Sequence, residues 1–388
     1  MITRRKALAG MGGFAAAATL STPSILRAAD TITIGSIVSA TGPGAFLGQV
    51  IKDGMGLAVE EINAAGGING RTVKWIPYDA EGQTQKAIAA TKRLITRDRC
   101  DLIAGGGAMS GIALAMVPMT EASKVPFIST EGAISIAEPV ETHPNTFKST
   151  VDDSLVMKRL GDFFKKKGIT RIAMVHDTSG FGQAAVGQMK KFAPTAGWEV
   201  MYEGFGPTDT DMMAQLTRVR DSDAQAILCW TVTPAGVVFL KQAKQLGLNS
   251  RTLMHSYGFV SPKYMELAGD ATENLLLVSV KFPVGDQLPE SDPVRAGIAS
   301  LSERYAKRYG KAPNQYVAQA YDAILLAKLG FEGAGKYGSI SKALENVKNF
   351  AGIGGVFNFS AEKHSGLSKK DLVIVDWANG RFNLADYA

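Results

Sequence analysis

Only two cysteines occur in 388 residues, so no disulfide framework staples this chain and no C-x-x-C pair offers a zinc or redox site. Histidine is nearly as scarce. His143, His176, His255 and His364 lie far apart in the sequence, and no metal-ligand spacing results. Beyond Leu20 no stretch is both long and apolar enough to span a bilayer, which takes roughly twenty residues. A strong field of one sign is also missing. The formal charge is +6, but Arg4, Arg5, Lys6 and Arg27 supply four of those charges without a nearby acid. The remainder is too weak to attract phosphate backbones, which excludes nucleic-acid binding. What is present, 46% hydrophobic and 20% charged residues, is an ordinary globular composition with length for two or three domains.

The first 29 residues read as an export signal. A basic head, Thr3-Arg4-Arg5-Lys6, precedes an uncharged run from Ala7 to Leu20, and small residues Ala28 and Ala29 provide a cleavage site. The Arg4-Arg5 pair resembles the twin-arginine type of signal, although Ala7 stands where that signal usually has Phe. The expected product starts near Asp30 and lies outside the cytoplasm, in the periplasm.

From there strand and helix patterns alternate. Thr31 to Val38 is β-branched and uncharged, as a strand buried on both faces requires. Ile51, Met55, Ala58 and Ile62 form one helical face, closed by Gly66-Gly67 and Asn69-Gly70. Strands follow at 73–78, 101–104 and 125–129, with helices over 84–97 and from Ser110. The rhythm restarts after Thr150, with strands at 172–175, 198–202 and 226–230, a helical stripe of Met212, Leu216 and Val219, and a further short strand from Leu253. Leu275 to Lys281 is another apolar segment, and Ala- and Leu-rich helices occupy 294–347. This alternation predicts α/β units with parallel, doubly wound Rossmann-like sheets, repeated as two lobes. Cys100 and Cys229 fall in different lobes and are expected to be two buried thiols.

Enzymatic readings fail on their motifs. Gly105-Gly106-Gly107 follows a strand and precedes a helix, yet the stretch to Gly111 gives neither G-x-G-x-x-G nor a P-loop. What remains is a turn exposing backbone N–H groups and the Ser110 hydroxyl at a helix N-terminus, a general anion site suited to a carboxylate. His176-Asp177 with Ser179 lacks a nucleophile elbow, and adjacent strand residues point to opposite faces. No cofactor, metal or catalytic residue is expected.

Several segments together carry a family resemblance. Ser39-Ala-Thr-Gly-Pro-Gly-Ala-Phe-Leu-Gly48, Ala58-Val-Glu-Glu-Ile-Asn-Ala-Ala-Gly-Gly-Ile-Asn-Gly70, Tyr78-Asp79, Pro126-Phe-Ile-Ser129, Val175-His-Asp177, Gly180-Phe-Gly182 and Asp209 to Leu216 occur in order along the chain. In this the sequence resembles the periplasmic, leucine-binding-type solute receptors of ABC importers. The resemblance implies a type I periplasmic binding fold: two lobes, 30–148 with 281–355 and 149–280 with 356–388, joined by three hinge crossovers near Ser149, Lys281 and Val356. It implies a cleft that closes on a small solute, a permease partner in the membrane and a monomeric receptor.

The resemblance also places a binding site. Its first-lobe loops fall on Ala108-Met109-Ser110 and on Ser129-Thr130-Glu131-Gly132-Ala133, with Ala133 where a contacting Thr is common. Phe46 and Leu47 sit in a loop that often lends an aromatic. In the second lobe it implicates Phe181, then Trp230 and Thr231 to Val232, then Ser256-Tyr257-Gly258. Tyr257 stands where amino-acid binders place an acid against the ligand ammonium, and an unpaired buried ammonium would cost several kcal/mol. Either the ligand is an aromatic or aliphatic carboxylate without an amino group, or Glu131 supplies the acid and the ligand is an amino acid. A signalling or amide-regulating sensor of the same fold is the alternative to a transport role.

Overall fold

A computed structural model describes residues 31–42 and 44–387, so the segment read as an export signal lies outside the described residues. The chain first lays down β1 (Thr31–Val38), α1 (Ala45–Ala64), β2 (Thr72–Asp79), α2 (Thr84–Thr96), β3 (Leu102–Gly106), α3 (Ser110–Ser123), β4 (Phe127–Ser129) and β5 (Thr146–Lys148). These strands form one parallel sheet in the order β2-β1-β3-β4-β5. Its compactness depends on small residues: a Cβ on Gly35 would stand 2.8 Å from Leu94 of α2 and 2.9 Å from the Cys100 sulfur. The α1 face of Leu47, Ile51, Met55, Ala58 and Ile62 is buried against this sheet's core. Its exit uses the left-handed backbone of Gly66 and Gly67, φ 95° and 80°.

The chain then enters a second unit: α4 (Asp153–Lys167), β6 (Arg171–Asp177), α5 (Gly180–Ala196), β7 (Glu199–Phe205), α6 (Met213–Asp221), β8 (Ala226–Trp230), α7 (Ala235–Gln245), β9 (Thr252–His255), α8 (Pro262–Ala268) and β10 (Leu275–Val280). The Asp152 carboxylate caps α4 by accepting the Leu155 N–H at 3.0 Å, and Lys165, Lys166 and Lys167 sit at its C-terminal end, where the helix dipole favours cations. Next come α9 (Arg295–Tyr309), α10 (Gln315–Tyr337) and α11 (Ile340–Glu345), then β11 (Phe350–Ala351), β12 (Val356–Phe357), β13 (Leu372–Ala378) and β14 (Arg381–Asp386). Both long helices return to the first sheet's side. Arg304 and Arg308 of α9 pair with Glu61 and Glu60 of α1, and α10 packs against α1, β3 and β4.

The second sheet has the order β14-β13-β10-β9-β8-β6-β7. Two lobes result, and the chain passes between their sheets three times: after β5, after β10 and after β12. The alternating strands β1 to β10 pair in parallel as expected, and two strands that the sequence reading did not assign add antiparallel pairs at one edge. β13 runs antiparallel to β10, and β14 antiparallel to β13. Between β13 and β14, Asn379-Gly380, with left-handed φ values of 56° and 74°, makes the two-residue turn that reverses the chain. Among the described residues, no helix is long and apolar enough to cross a membrane.

Candidate functional site

The carboxyl ends of the parallel strands of both sheets face each other, the place where open α/β sheets present their loops to ligands. An inner cavity of about 40 Å³ lies there. The first sheet's side contributes Leu47 and Ile51 of α1, Ala108 and Ser110 after β3, and Thr130, Glu131 and Gly132 after β4. Thr150 comes from the first passage between sheets. The second sheet contributes Phe181, Val232, Tyr257 and Gly258, while Gln315, Tyr316 and Gln319 arrive on the first turns of α10. An outer cavity of about 600 Å³ shares Leu47, Ala108, Ser110, Phe181 and Val232 with it and adds Met109. That volume lies in the range of small-molecule sites.

The Gly105–Gly107 turn does form a cradle of backbone donors, but the chain fills it itself. Glu131 Oε1 accepts the N–H of Gly106 at 3.0 Å, the N–H of Ala108 at 3.1 Å and the Thr130 hydroxyl at 2.8 Å. Its Oε2 accepts the Ser129 hydroxyl at 2.6 Å. Burial pushes the Glu131 carboxyl above its usual range, and these four donors pull against that rise. Ala108 is held at φ 64°, a conformation that costs a non-glycine residue roughly 1–2 kcal/mol and that its bond to Glu131 helps to offset. Ser110 Oγ accepts the Ala133 N–H at 3.2 Å, so its own proton stays available.

Ala133 itself is fully buried and is absent from the lining of both cavities. Its carbonyl receives the Lys148 ammonium at 2.9 Å. Burial lowers the Lys148 pKa, while Asp152 and Asp153 oppose that change. The Asp153 carboxyl is pushed up to about 7 by burial. One of its oxygens accepts the Ile134 N–H at 3.0 Å, and the other has no partner among the described residues.

Across the cavity three aromatic rings meet. Phe181 lies 5.6 Å from both Trp230 and Tyr257, and Trp230 lies 5.9 Å from Tyr257, the spacing of tilted and edge-on packing. Of the three, Trp230 lines neither cavity and supports the other two from behind. Thr231 is also set back: its hydroxyl donates to Asp177 Oδ2 at 2.5 Å, while Asp177 Oδ1 accepts the Ser179 N–H at 3.0 Å. This bracket holds the turn from which Phe181 projects. Phe46 lines neither cavity; it is 37% exposed and packs edge-on against Tyr264 at 5.2 Å. His176 Nδ1 sits 3.0 Å from the Asp177 carbonyl oxygen, a structural contact.

Several lining residues escaped the sequence reading. Gln315 Nε2 donates to the Tyr257 carbonyl at 2.7 Å, and the Tyr316 hydroxyl donates to the Gly258 carbonyl. Gln319 Oε1 accepts the Thr150 hydroxyl at 3.0 Å. Their one sequence signal is the helix start, where the Asn314 side chain accepts the Tyr316 N–H at 3.0 Å and polar residues interrupt an Ala-rich face. Among the described residues, no group of three or more His, Cys, Asp or Glu is placed to hold a metal ion.

Comparison with known proteins agrees with this architecture. A family model described as periplasmic binding protein matches residues 31–381. A Pseudomonas aeruginosa protein called leucine-, isoleucine-, valine-, threonine- and alanine-binding protein is 25% identical over 376 residues, covering 94% of each chain. Leu/Ile/Val-binding protein homolog 3 of Brucella melitensis is 24% identical over 363 residues, covering 90% of this chain and 92% of that one. Among solved structures, the branched-chain amino acid transporter substrate-binding protein LivJ of Streptococcus pneumoniae, in complex with isoleucine, superimposes with a TM-score of 0.77 at 25% identity over 92% of this chain and 99% of that one. An extracellular ligand-binding receptor from Rhodopseudomonas palustris reaches a TM-score of 0.82 at 20% identity, over 91% and 99% of the two chains.

Proposed function

This chain belongs to the periplasmic binding protein family, and from that premise we propose that it is the solute-capturing component of an ABC importer of the branched-chain amino-acid type. The protein carries no catalytic step. Its two lobes, 30–148 with 281–355 and 149–280 with 356–388, swing about the three passages and trap a solute of amino-acid size. The closed receptor then docks on the permease as a monomer. Segment 1–29 directs the chain to the periplasm and is removed near Ala28 or Ala29.

One observation carries this reading: a cleft lined from both sheets, with Ser110 and Thr130 from one side facing Phe181 and Tyr257 from the other. Such a site exists only when the lobes are together, so solute and closure stabilise each other. The apolar body of the solute rests on Phe181 and Tyr257, and the names of the relatives support a size near that of leucine or isoleucine.

The test starts from protein purified from its native host, with mass spectrometry identifying the solute released on unfolding. Small-angle scattering of the stripped protein then follows return of that solute. Compaction on binding is expected. A receptor that stays the same size with every released solute, or that chemically changes one, refutes the proposal.

A further inference from the structure

Polarity is sorted along the cleft. At its inner end Tyr257 Oη and Gln315 Oε1 are buried without partners among the described residues. The Ser110 hydroxyl accepts the Ala133 N–H there and keeps its own proton to donate. The inner cavity measures about 40 Å³, room for roughly three water molecules. Tyr257 and Phe181 crowd the rest of that end, close enough to meet a Cβ on Gly132 at 1.7 and 3.1 Å. A polar head fits in this space, but the body of a solute does not.

The outer end is different. Its cavity of about 600 Å³ takes apolar wall from Leu47, Met109, Ile112, Phe181, Val232 and Val238. Several polar side chains on the same wall are already spent on the protein. Ser39 Oγ donates to the Gly107 carbonyl at 2.8 Å, Ser179 Oγ to Asp177 Oδ1 at 2.5 Å, and Tyr264 Oη to the Val232 carbonyl at 2.5 Å. Asp209 Oδ2 accepts the Gly206 N–H at 2.7 Å. Resting on the reading that both cavities hold the solute, we infer that the outer cavity is a second subsite, which seats the solute's body, and that the receptor favours solutes whose body is aromatic and larger than a leucine side chain. A leucine side chain leaves most of the outer cavity to water, and removing apolar wall from water is what a larger body gains. Phe181, which lines both cavities, offers its ring to a second ring, and the Met109 thioether is a favourable neighbour for that ring's edge. Val238 of α7 lines the outer cavity alone, and this makes it a specificity-determining residue for the size of the body.

Calorimetry tests this by setting a small body against two aromatic ones on the same head. One series carries the amino group (leucine, phenylalanine, tryptophan) and one lacks it (isocaproate, phenylpropanoate, indolepropanoate). In a series that binds, the better aromatic member binds at least about tenfold tighter than the leucine-sized one. Val238→Trp fills the outer cavity; it should cut that preference by about tenfold and change the leucine-sized affinity by less than about threefold. Val238→Met acts in the same direction to a smaller degree, and it carries the test if the tryptophan variant does not fold. A wild type that binds leucine or isocaproate as tightly as the ring-bearing members overturns the inference. A preference for rings that the folded variant leaves untouched overturns it too. If no member of either series binds, the aromatic class falls, while compaction with the solute released from the native protein decides the receptor reading separately.

Discussion

The Gln315 side-chain amide, carried by a helix packed on the first sheet, donates to the Tyr257 carbonyl beyond the second sheet at 2.7 Å. Next to it the Tyr316 hydroxyl donates to the Gly258 carbonyl. These two bonds bridge the two sides of the cleft. Each contributes about 0.5–1.5 kcal/mol to the closed state. Gln315→Ala and Tyr316→Phe should therefore each weaken capture of the recovered solute by about two- to tenfold, with melting of the individual lobes unchanged. Calorimetry on both variants checks this, and unaltered affinity in both would remove the latch.

Asp322 of α10 organises the third passage. Its two oxygens accept the Ile353 N–H at 2.8 Å and the Gly354 N–H at 2.7 Å. Burial pushes its carboxyl up to about 7, well above the value of about 3.9 in an unfolded chain. Between those limits the folded protein holds a proton that the unfolded chain has released, so this group's contribution is largest near pH 4 and is lost as pH rises through 7. Asp153 acts in the same direction, and only a difference between variants isolates Asp322. Relative to Asp322→Asn, the wild type should gain about 1.4 kcal/mol per pH unit as pH falls from 7 toward 4. Denaturant unfolding at pH 5 and pH 7 measures this; an equal gap at both values contradicts it.

Cys100 lies just before β3 of the first sheet and Cys229 within β8 of the second, both buried and both free thiols. Burial pushes the Cys100 thiol up to about 12 and raises that of Cys229 well above its usual value. Since the thiolate is the reactive form, neither should react with maleimide in the folded protein. Two labels per chain should appear only after unfolding, as intact-mass analysis would register. A native label, or a disulfide in the purified protein, would be inconsistent with this packing.

Much of this arrangement can be traced to local sequence. β8 is an uninterrupted apolar run, β1 is uncharged and rich in β-branched residues, and the α1 stripe repeats at helical spacing, so burial on the sheet follows from side-chain chemistry alone. Ser110, Phe181 and Tyr257 reach the cavity because each follows a strand's carboxyl end. Trp230 and Thr231 mark the limit of that logic. They lie at a strand end too, but the chain has left β8 by Val232, and it is Val232 that lines the cavity. Gln315 and Gln319 were invisible for another reason. Gln319 meets Thr150 across 169 positions of sequence, and only the return of α10 to the first sheet brings them together. Glu131 was visible as an acid, yet nothing local indicates that Gly106 and Ala108 would consume its oxygens.

Gly132 gives the sharpest test of closure. Its backbone does not require glycine, since φ lies outside the left-handed region, but a Cβ there would stand 1.7 Å from the Tyr257 oxygen and 3.1 Å from Phe181. Both neighbours belong to the opposite sheet, so the added methyl clashes only when the lobes meet. Overpacking of this kind costs about 1–3 kcal/mol, enough to reduce solute affinity by about five- to 150-fold. Gly132→Ala should keep the wild-type melting temperature without solute and fail to compact in small-angle scattering. Tyr257→Phe in the same chain should recover part of the closure by removing the clashing oxygen. Gly187→Ala, with no atom within 4 Å of its Cβ, serves as the neutral control. Full compaction and undiminished binding in Gly132→Ala would mean that the lobes do not meet at this point.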